Sequence, residues 1–519
     1  MINVLEKPVP FGGGIQLSPN KSTSLEQPLR KATLPKLITI PLRQHVGIST
    51  ETIVQVGDPV KKGQMIARPQ GYISAPVHAS TSGSVVEIAN YPVPSASGVS
   101  SKCILIEADG KDEWLPDRQV IDDYWDLSPT VIHNIILESG VVGLGGAGFP
   151  SAIKLIPGLN HDIELLILNA AECEPYISCD EALICAYPDK IINGLDILRH
   201  AVSAHECVIG IEENMPNAIK ALNQAIENLG ETSIDIKTLP ALYPAGGEKQ
   251  LIKSLTGVEV PSRGLPVDIG IVCYNVGTAV AAFDAVMQNE PLISRVVTIT
   301  GAGVKQPCNL EVLIGTPISD LIDQCGGVTD NYDRSIMGGP MMGFALHSID
   351  VPIIKTTNCI LNTAIEDEHY SQPVLPCIRC DECAAVCPAS LMPQQLFFYA
   401  QTKNYDGLEA YKLSDCIECG CCSYVCPSHI PLVQHYRTAK SGIWEIKRKQ
   451  RDAEQARRRY QEREVRLQAE EQEKVKNKEM KNKLSSAASV SDKASKQAEI
   501  ANAVERVKKK RAKNEDNNT

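Results

Sequence analysis

Short apolar runs broken by glycine and proline fill residues 36–110, as in Thr52-Ile-Val-Gln-Val-Gly-Asp-Pro-Val-Lys-Lys-Gly63 and Ser74-Ala-Pro-Val-His-Ala-Ser-Thr-Ser-Gly-Ser-Val-Val86, and predict a small all-β domain after an N-terminal segment, 1–35. Between residues 128 and 290 the pattern becomes strand, loop and helix. Glu164-Leu-Leu-Ile-Leu-Asn169 predicts a buried strand, Pro216 to Leu229 an amphipathic helix, and Ile269 to Phe283 a buried strand running into a helix. Residues 292–360 begin with Val296-Val-Thr-Ile-Thr-Gly-Ala-Gly303 and Leu310-Glu-Val-Leu-Ile314, followed by a Gly-Thr-Pro turn and a short helix ending at Gly326-Gly327. Two strands and a helix of this kind predict a β-grasp-like unit. The pattern as a whole is multidomain α/β and α+β.

The two β segments resemble the halves of a lipoyl or biotinyl carrier domain, a barrel sandwich, but no modifiable Met-Lys-Met lies between them. The fold is expected without the swinging arm. Residues 445–480 contain no Gly or Pro and set Glu454 before Arg458, Glu462 before Arg466 and Glu470 before Lys474, the i,i+4 spacing that supports a solvated helix. Beyond Ser485 the Ser/Ala/Lys/Asn composition predicts disorder, so that 445–519 reads as a charged, helical and disordered tail.

At 519 residues, 43% hydrophobic and 22% charged, the chain is long enough for several separate cores. Its net charge of -11 divides unevenly: Glu445 to Thr519 holds 22 Lys+Arg and 14 Asp+Glu, a surplus of +8, against -19 for the remainder. The interspersed signs favour a solvated appendix over one that faces acidic lipid headgroups or an acidic partner protein. The nearest approach to a membrane span, Ile269 to Phe283, is interrupted by Tyr274, Asn275 and Thr278 and falls short of the roughly 20 apolar residues a bilayer requires. Met1-Ile-Asn3 followed by Glu6 and Lys7 lacks the order of a signal peptide, which places the expected location on the cytoplasmic side.

Half of the 18 cysteines fall within residues 370–435. Cys377-x2-Cys380-x2-Cys383-x3-Cys387-Pro388 is followed after a 28-residue gap by Cys416-x2-Cys419-x2-Cys422-x3-Cys426-Pro427. This repeat is the bacterial two-cluster ferredoxin signature, in which three closely spaced thiolates hold one [4Fe-4S] cubane and the fourth cysteine crosses to the other. One cluster is assigned to Cys377, Cys380, Cys383 and Cys426, the other to Cys416, Cys419, Cys422 and Cys387, leaving Cys421 over. A zinc site needs neither the third cysteine nor the Cys-Pro ending. The other nine cysteines, among them Cys103, Cys207 and Cys325, read as buried thiols.

Gly143-Leu-Gly-Gly-Ala-Gly148-Phe-Pro150 precedes a helix carrying Lys154, where successive amides and a cation can cradle a phosphate. It is not a Walker loop, and no dinucleotide βαβ unit with a well-placed acid is evident. A close-packing turn is the alternative. Three polar clusters at the ends of apolar runs favour a ligand site: Asn169-Ala-Ala-Glu-Cys-Glu-Pro175, Tyr243-Pro-Ala-Gly-Gly-Glu248 and Tyr274-Asn-Val-Gly-Thr278.

On these residues the chain, over about 30–440, resembles the RnfC/RsxC family of the Rnf/Rsx ion-translocating electron transport complex, and its middle domain is similar to the NADH-binding flavoprotein of respiratory complex I. The resemblance implies FMN held by Gly143, Gly145, Gly146, Gly148, Lys154, Asn169, Glu172, Tyr243, Gly246, Glu248 and Asn275. It also implies that Glu174 lies near the nicotinamide of NAD(H), and that 292–360 is an SLBB-like β-grasp. Leu144 stands where the complex I pattern has arginine and Ala171 where it has aspartate. The implied function is a translocase-type NADH/ferredoxin oxidoreductase subunit, peripheral on the cytoplasmic face of the inner membrane. It would pass electrons between NAD(H), or a ferredoxin, and the membrane subunits, with no nucleic-acid partner. A cobalamin-reductase-like iron-sulfur flavoprotein and a flavin-free electron relay are the two alternatives.

Overall fold

The computed structural model describes residues 3–116, 118–160, 162–230, 233–365 and 373–515. The end of the 292–360 region and the start of the 370–435 region adjoin residues 366–372, which lie outside them. The chain divides into two compact units, Met1–Ala439 and Lys440–Thr519.

In the first unit the Gly/Pro-punctuated runs form two small antiparallel sheets. The strands Leu37–Pro41, Ser100–Ala108, Gly83–Pro92 and Pro59–Val60 neighbour one another in that order, and Glu51–Thr52, Met65–Arg68 and Val77–His78 make the second sheet. Ile38, Ile40, Ile66, Val77, Ile104 and Ile106, all nearly inaccessible, fill the space between them.

The middle domain is an open parallel sheet. Leu165–Ala170, Glu206–Glu212, Ile234–Leu239 and Ile271–Asn275 lie in the spatial order third, second, first, fourth, and every neighbouring pair is parallel. Apolar side chains cover both faces of Leu165–Ala170, as an uninterrupted Leu-Leu-Ile-Leu requires. The helix Pro216–Leu229 buries Ala218, Leu222 and Ala225 and stops at Gly230, whose φ of +66° only glycine adopts without cost. Strand order reverses between the first and fourth strands, with Asn169 opposite Asn275 at their carboxyl ends. Ligands bind open α/β sheets at that switch point. The dinucleotide-like topology is hidden in the sequence because the glycine loop precedes the first strand instead of following it.

The next sheet is larger than the two strands and helix expected. Six strands, in the order Arg30–Lys31, Cys308–Leu313, Ser294–Thr300, Cys359–Ala364, Tyr332–Met337 and Phe344–Ala345, are backed by the helix Ile318–Gln324. Its edge strand comes from the N-terminal segment, which also lays Ile15 against Tyr243 and inserts Lys21 into the middle domain. Lys355 is buried and donates to the carbonyls of Pro76 (2.9 Å) and Gly140 (2.7 Å), tying this sheet to the two preceding domains.

The cysteine-rich region repeats in backbone conformation as well as in sequence. Arg379 and Glu418, Asp381 and Gly420, and Ser390 and His429 all have positive φ, each pair 39 residues apart, the offset between Cys377 and Cys416. Asp381 and Gly420 start matching four-residue helices, Glu382–Ala385 and Cys421–Tyr424.

The helix Leu432–Glu515 supplies nearly all of the second unit. It corrects the expectation of disorder past Ser485: residues 445–515 hold no Gly or Pro, and Ala, Lys, Glu and Arg favour helix. Of its ion pairs, Arg458–Glu462 and Arg466–Glu470 join each arginine to the glutamate after it, in place of the glutamate before it that the i,i+4 spacing predicts.

Candidate cofactor sites

Two cavities collect the paired cysteines. Cys377, Cys380, Cys383 and Cys426 line one of them, beside Ile378, Arg379 and Phe397. Cys387, Cys416, Cys419 and Cys422 line the other, beside Leu396, Val433 and Tyr436. In each cavity the fourth cysteine of one run lies with the first three of the other, the arrangement crossed ligation needs. Two sets of four thiols in mainly apolar surroundings suit two cubanes. The cavities differ in depth: Cys377 and Cys380 are exposed, Cys419 and Cys422 buried. Cys421, fully buried, is a fifth thiol on the deeper cavity.

The residues expected to hold FMN converge around the sheet's switch point. Lys154 Nζ sits 2.7 Å from Glu248 and donates to the Cys273 carbonyl at 3.1 Å, with the Tyr274 ring 5.8 Å away. Burial works against its charge, but Glu248 prevails and holds the lysine above its ordinary pKa. Asn169 donates to the Gly246 carbonyl at 2.8 Å and accepts from the Ala171 amide at 3.0 Å. A Cβ at Gly246 would run into the Ala171 carbonyl oxygen, so only glycine lets these two loops approach so closely. Asn275 caps the following helix by accepting from the Gly277 amide at 2.9 Å, and donates to Asp180 at 2.6 Å.

In the glycine loop, the Gly143 amide donates to the Phe149 carbonyl (2.8 Å) and closes the turn. Gly145 packs so tightly on Asn275 that an added Cβ would lie 3.0 Å from its Cβ, whereas Gly146 faces open space. Gly148 has a φ of +66°, and a side chain there would meet Thr356. A cradle of small residues, one matched cation–carboxylate pair and two asparagines at strand ends suits a polar, phosphorylated heterocycle.

Three assigned residues have other engagements. Glu172 accepts from the amides of Asp180 (2.9 Å) and Glu181 (3.3 Å), capping the helix Cys179–Ala186, and lies 3.7 Å from Lys21 Nζ. Glu174 Oε1 accepts from the amides of both Met341 (2.7 Å) and Met342 (3.0 Å) in the neighbouring sheet domain. The Tyr243 hydroxyl donates to the carbonyl of Cys419 at 2.6 Å.

Four charged groups here give no local signal in the sequence: Lys21, Asp180, Glu212 and Arg295. Lys21 is buried, and its ammonium also donates to the Glu172 carbonyl. Burial and then the Glu172 charge push Asp180 up to about 7. Burial likewise raises Glu212 to about 7, against the pull of Lys21, and leaves its Oε1 without a hydrogen bond. A cavity of about 490 Å3, bordered by Leu144, Asp180, Gly277, Arg295, Lys31 and Trp114, adjoins the glycine loop through Leu144 and is not lined by Lys154, Asn169 or Glu248.

Four domain families match this chain. Residues 136–284 match the Nuo51 FMN-binding domain, 9–111 the RnfC barrel sandwich hybrid domain, 296–345 the SLBB domain and 376–430 the 4Fe-4S dicluster domain. The chain is 44% identical to the C subunit of the ion-translocating oxidoreductase complex of Haemophilus influenzae (strain 86-028NP), over 89% of this chain and 69% of that protein. It belongs to the family of C subunits of the ion-translocating oxidoreductase complex. Proteins of the same name from Pseudomonas aeruginosa and Pasteurella multocida are 46% and 45% identical, over 90% and 87% of this chain. The chain spans 60% and 53% of the length of those two relatives. A chain of an NAD+-reducing [NiFe]-hydrogenase overlays with a TM-score of 0.45 at 19% identity, covering 60% of this chain and 62% of that one, a level that adds nothing to the assignment. As a member of this family the chain carries an FMN-binding domain, an SLBB domain and a two-cluster ferredoxin domain. Among the described residues no helix is long and apolar enough to cross a membrane.

Proposed function

We propose that this chain is the peripheral electron-transfer component of an ion-translocating complex on the cytoplasmic side of the inner membrane, exchanging electrons between NAD(H) and the membrane subunits. A ferredoxin is an alternative donor. The carrying observation is the hydrogen bond from Tyr243 to the Cys419 carbonyl. The loop that brings Gly246 and Glu248 to the flavin site thereby rests on a residue of the deeper cysteine set. Gln250 extends the seam by donating to the Pro388 carbonyl at 3.3 Å.

FMN, when bound, takes up a hydride and releases electrons one at a time, which is the conversion a nicotinamide and a one-electron cluster require between them. Gly143, Gly145, Gly146 and Gly148 would let the loop backbone approach it. Lys154 supplies a fixed cation, kept protonated by Glu248, while Asn169 and Asn275 present amides at the switch point. The amides of Met341 and Met342, both donating to Glu174 Oε1, would hold this carboxylate in place beside a nicotinamide. Cys387, Cys416, Cys419 and Cys422 would hold the cluster nearer the flavin. Cys377, Cys380, Cys383 and Cys426 would hold the more exposed one, on the side a partner could reach. The Tyr243→Phe variant tests the connection. Electron exchange between nicotinamide and clusters should slow by roughly fivefold, what about 1 kcal/mol from one lost hydrogen bond amounts to. Flavin and iron contents should stay at wild-type levels. An unchanged rate, with an unchanged electron paramagnetic resonance spectrum of both clusters, would sink the connection.

A further inference from the structure

Among the nine cysteines outside residues 370–435, Cys308 and Cys325 meet. Cys308 begins the strand Cys308–Leu313, Cys325 follows the helix Ile318–Gln324, and their Sγ atoms lie 3.3 Å apart. A disulfide of about 2.05 Å needs the sulfurs to close by only about 1.3 Å more. The pair is asymmetric. Arg30 Nη2 lies 3.5 Å from Cys308 Sγ and also donates to the Gln324 carbonyl at 3.0 Å, while Gln324 Oε1 accepts from the Thr33 amide at 2.8 Å. The hydrogen bond from Cys325, opposed by burial and helped by Arg30, lowers Cys308 to about 6; Cys325, as the donor, is pushed up. The guanidinium beside Cys308 marks it as the sulfur placed to act as thiolate, with Cys325 as its partner, the division of roles thiol–disulfide exchange uses. Both are buried, Cys308 at 2% and Cys325 at 0% exposure, but what lies beside them is an exposed two-residue edge strand, paired only through Arg30 with Leu310 and Lys31 with Glu311. A short edge of this kind opens at little cost.

We propose that Cys308 and Cys325 form a dithiol that a low-molecular-weight disulfide of the glutathione type converts to an intramolecular disulfide in the SLBB domain. The Cys308 thiolate attacks one sulfur of the small disulfide, whose S–S bond breaks and whose other sulfur leaves as thiolate. That thiolate takes the proton of Cys325. The Cys325 sulfur then attacks the Cys308 sulfur and expels the second small thiolate. The chain loses two electrons, the small disulfide is reduced to two thiols, and Arg30 is left without its anionic partner.

Trypsin isolates the pair, because no Lys or Arg lies between Lys305 and Arg334 and the fragment 306–334 contains no other cysteine. The full chain, with its clusters in place, is equilibrated anaerobically in glutathione buffers of rising disulfide fraction, denatured, capped with iodoacetamide and digested. The doubly capped fragment should give way to an uncapped one two hydrogens lighter than the dithiol, with cluster absorbance unchanged. In Cys325→Ser the same buffers should leave one glutathione on Cys308. A wild-type fragment that stays doubly capped at every ratio, or that accumulates glutathione without closing, overturns the proposal.

Discussion

Serine at Cys422 is expected to remove one cluster and spare the other, taking iron from about eight atoms per chain to about four. Cys422 lines the deeper cavity with Cys387, Cys416 and Cys419, and serine is a poor substitute for a thiolate on iron. One neighbour can compensate: Cys421 borders the same cavity, so the Cys421→Ser/Cys422→Ser double variant gives the decisive iron count. The grouping of thiols adds a sharper expectation. Cys426→Ser should erase the same resonance signal as Cys377→Ser, and Cys387→Ser the same one as Cys416→Ser, although each pair joins opposite runs. If Cys426→Ser instead matched Cys416→Ser, the ligand sets would be uncrossed.

Methionine at Lys21 is expected to cost about 3–5 kcal/mol of stability, the usual consequence of removing one partner of a buried ion pair. Lys21 is 7% exposed and lies against Glu172, itself buried, and its charge lowers the pKa values of Asp180, Glu181 and Glu212. The cost should depend on pH. Asp180 and Glu212 titrate near 7 in the folded chain, above the about 4 of an unfolded carboxyl, so the folded state binds more protons between those values. The contribution of these two groups therefore falls as pH rises through that window and is least favourable above 7. Without Lys21 their pKa values rise further, so the loss should be larger near pH 8 than near pH 5. Thermal unfolding midpoints at the two pH values check this; equal losses at both would contradict it.

The parts legible in the sequence were those whose physics is local. Cysteines spaced by two residues bring thiols to one iron cluster wherever the chain goes, and the helix Pro216–Leu229 has the limits its pattern predicts. Gly246 and Glu248 were assigned to the flavin through the family resemblance, in a polar cluster that the pattern sets at the end of an apolar run. What was missed depends on distant partners. Lys21 and Arg30 are single charges in a segment without pattern, and become significant only against Glu172 and Cys308. The two-residue strand Arg30–Lys31 is too short for alternation to register. Tyr243 was assigned to the flavin through the resemblance, and only the fold shows its hydroxyl reaching Cys419, 176 residues away. Cys325 was grouped with ordinary buried thiols, and only the fold brings Cys308 to it.

The most direct test of the relay is electron exchange with nicotinamide in one anaerobic preparation containing FMN and both clusters. NADH is added to the oxidised chain and, separately, NAD+ to the chemically reduced chain. Bleaching of flavin and clusters is expected in the first experiment or formation of NADH in the second, with either response lost when FMN is removed. If flavin and clusters both respond to dithionite, yet neither nicotinamide exchanges electrons with them, the chain is not the relay described.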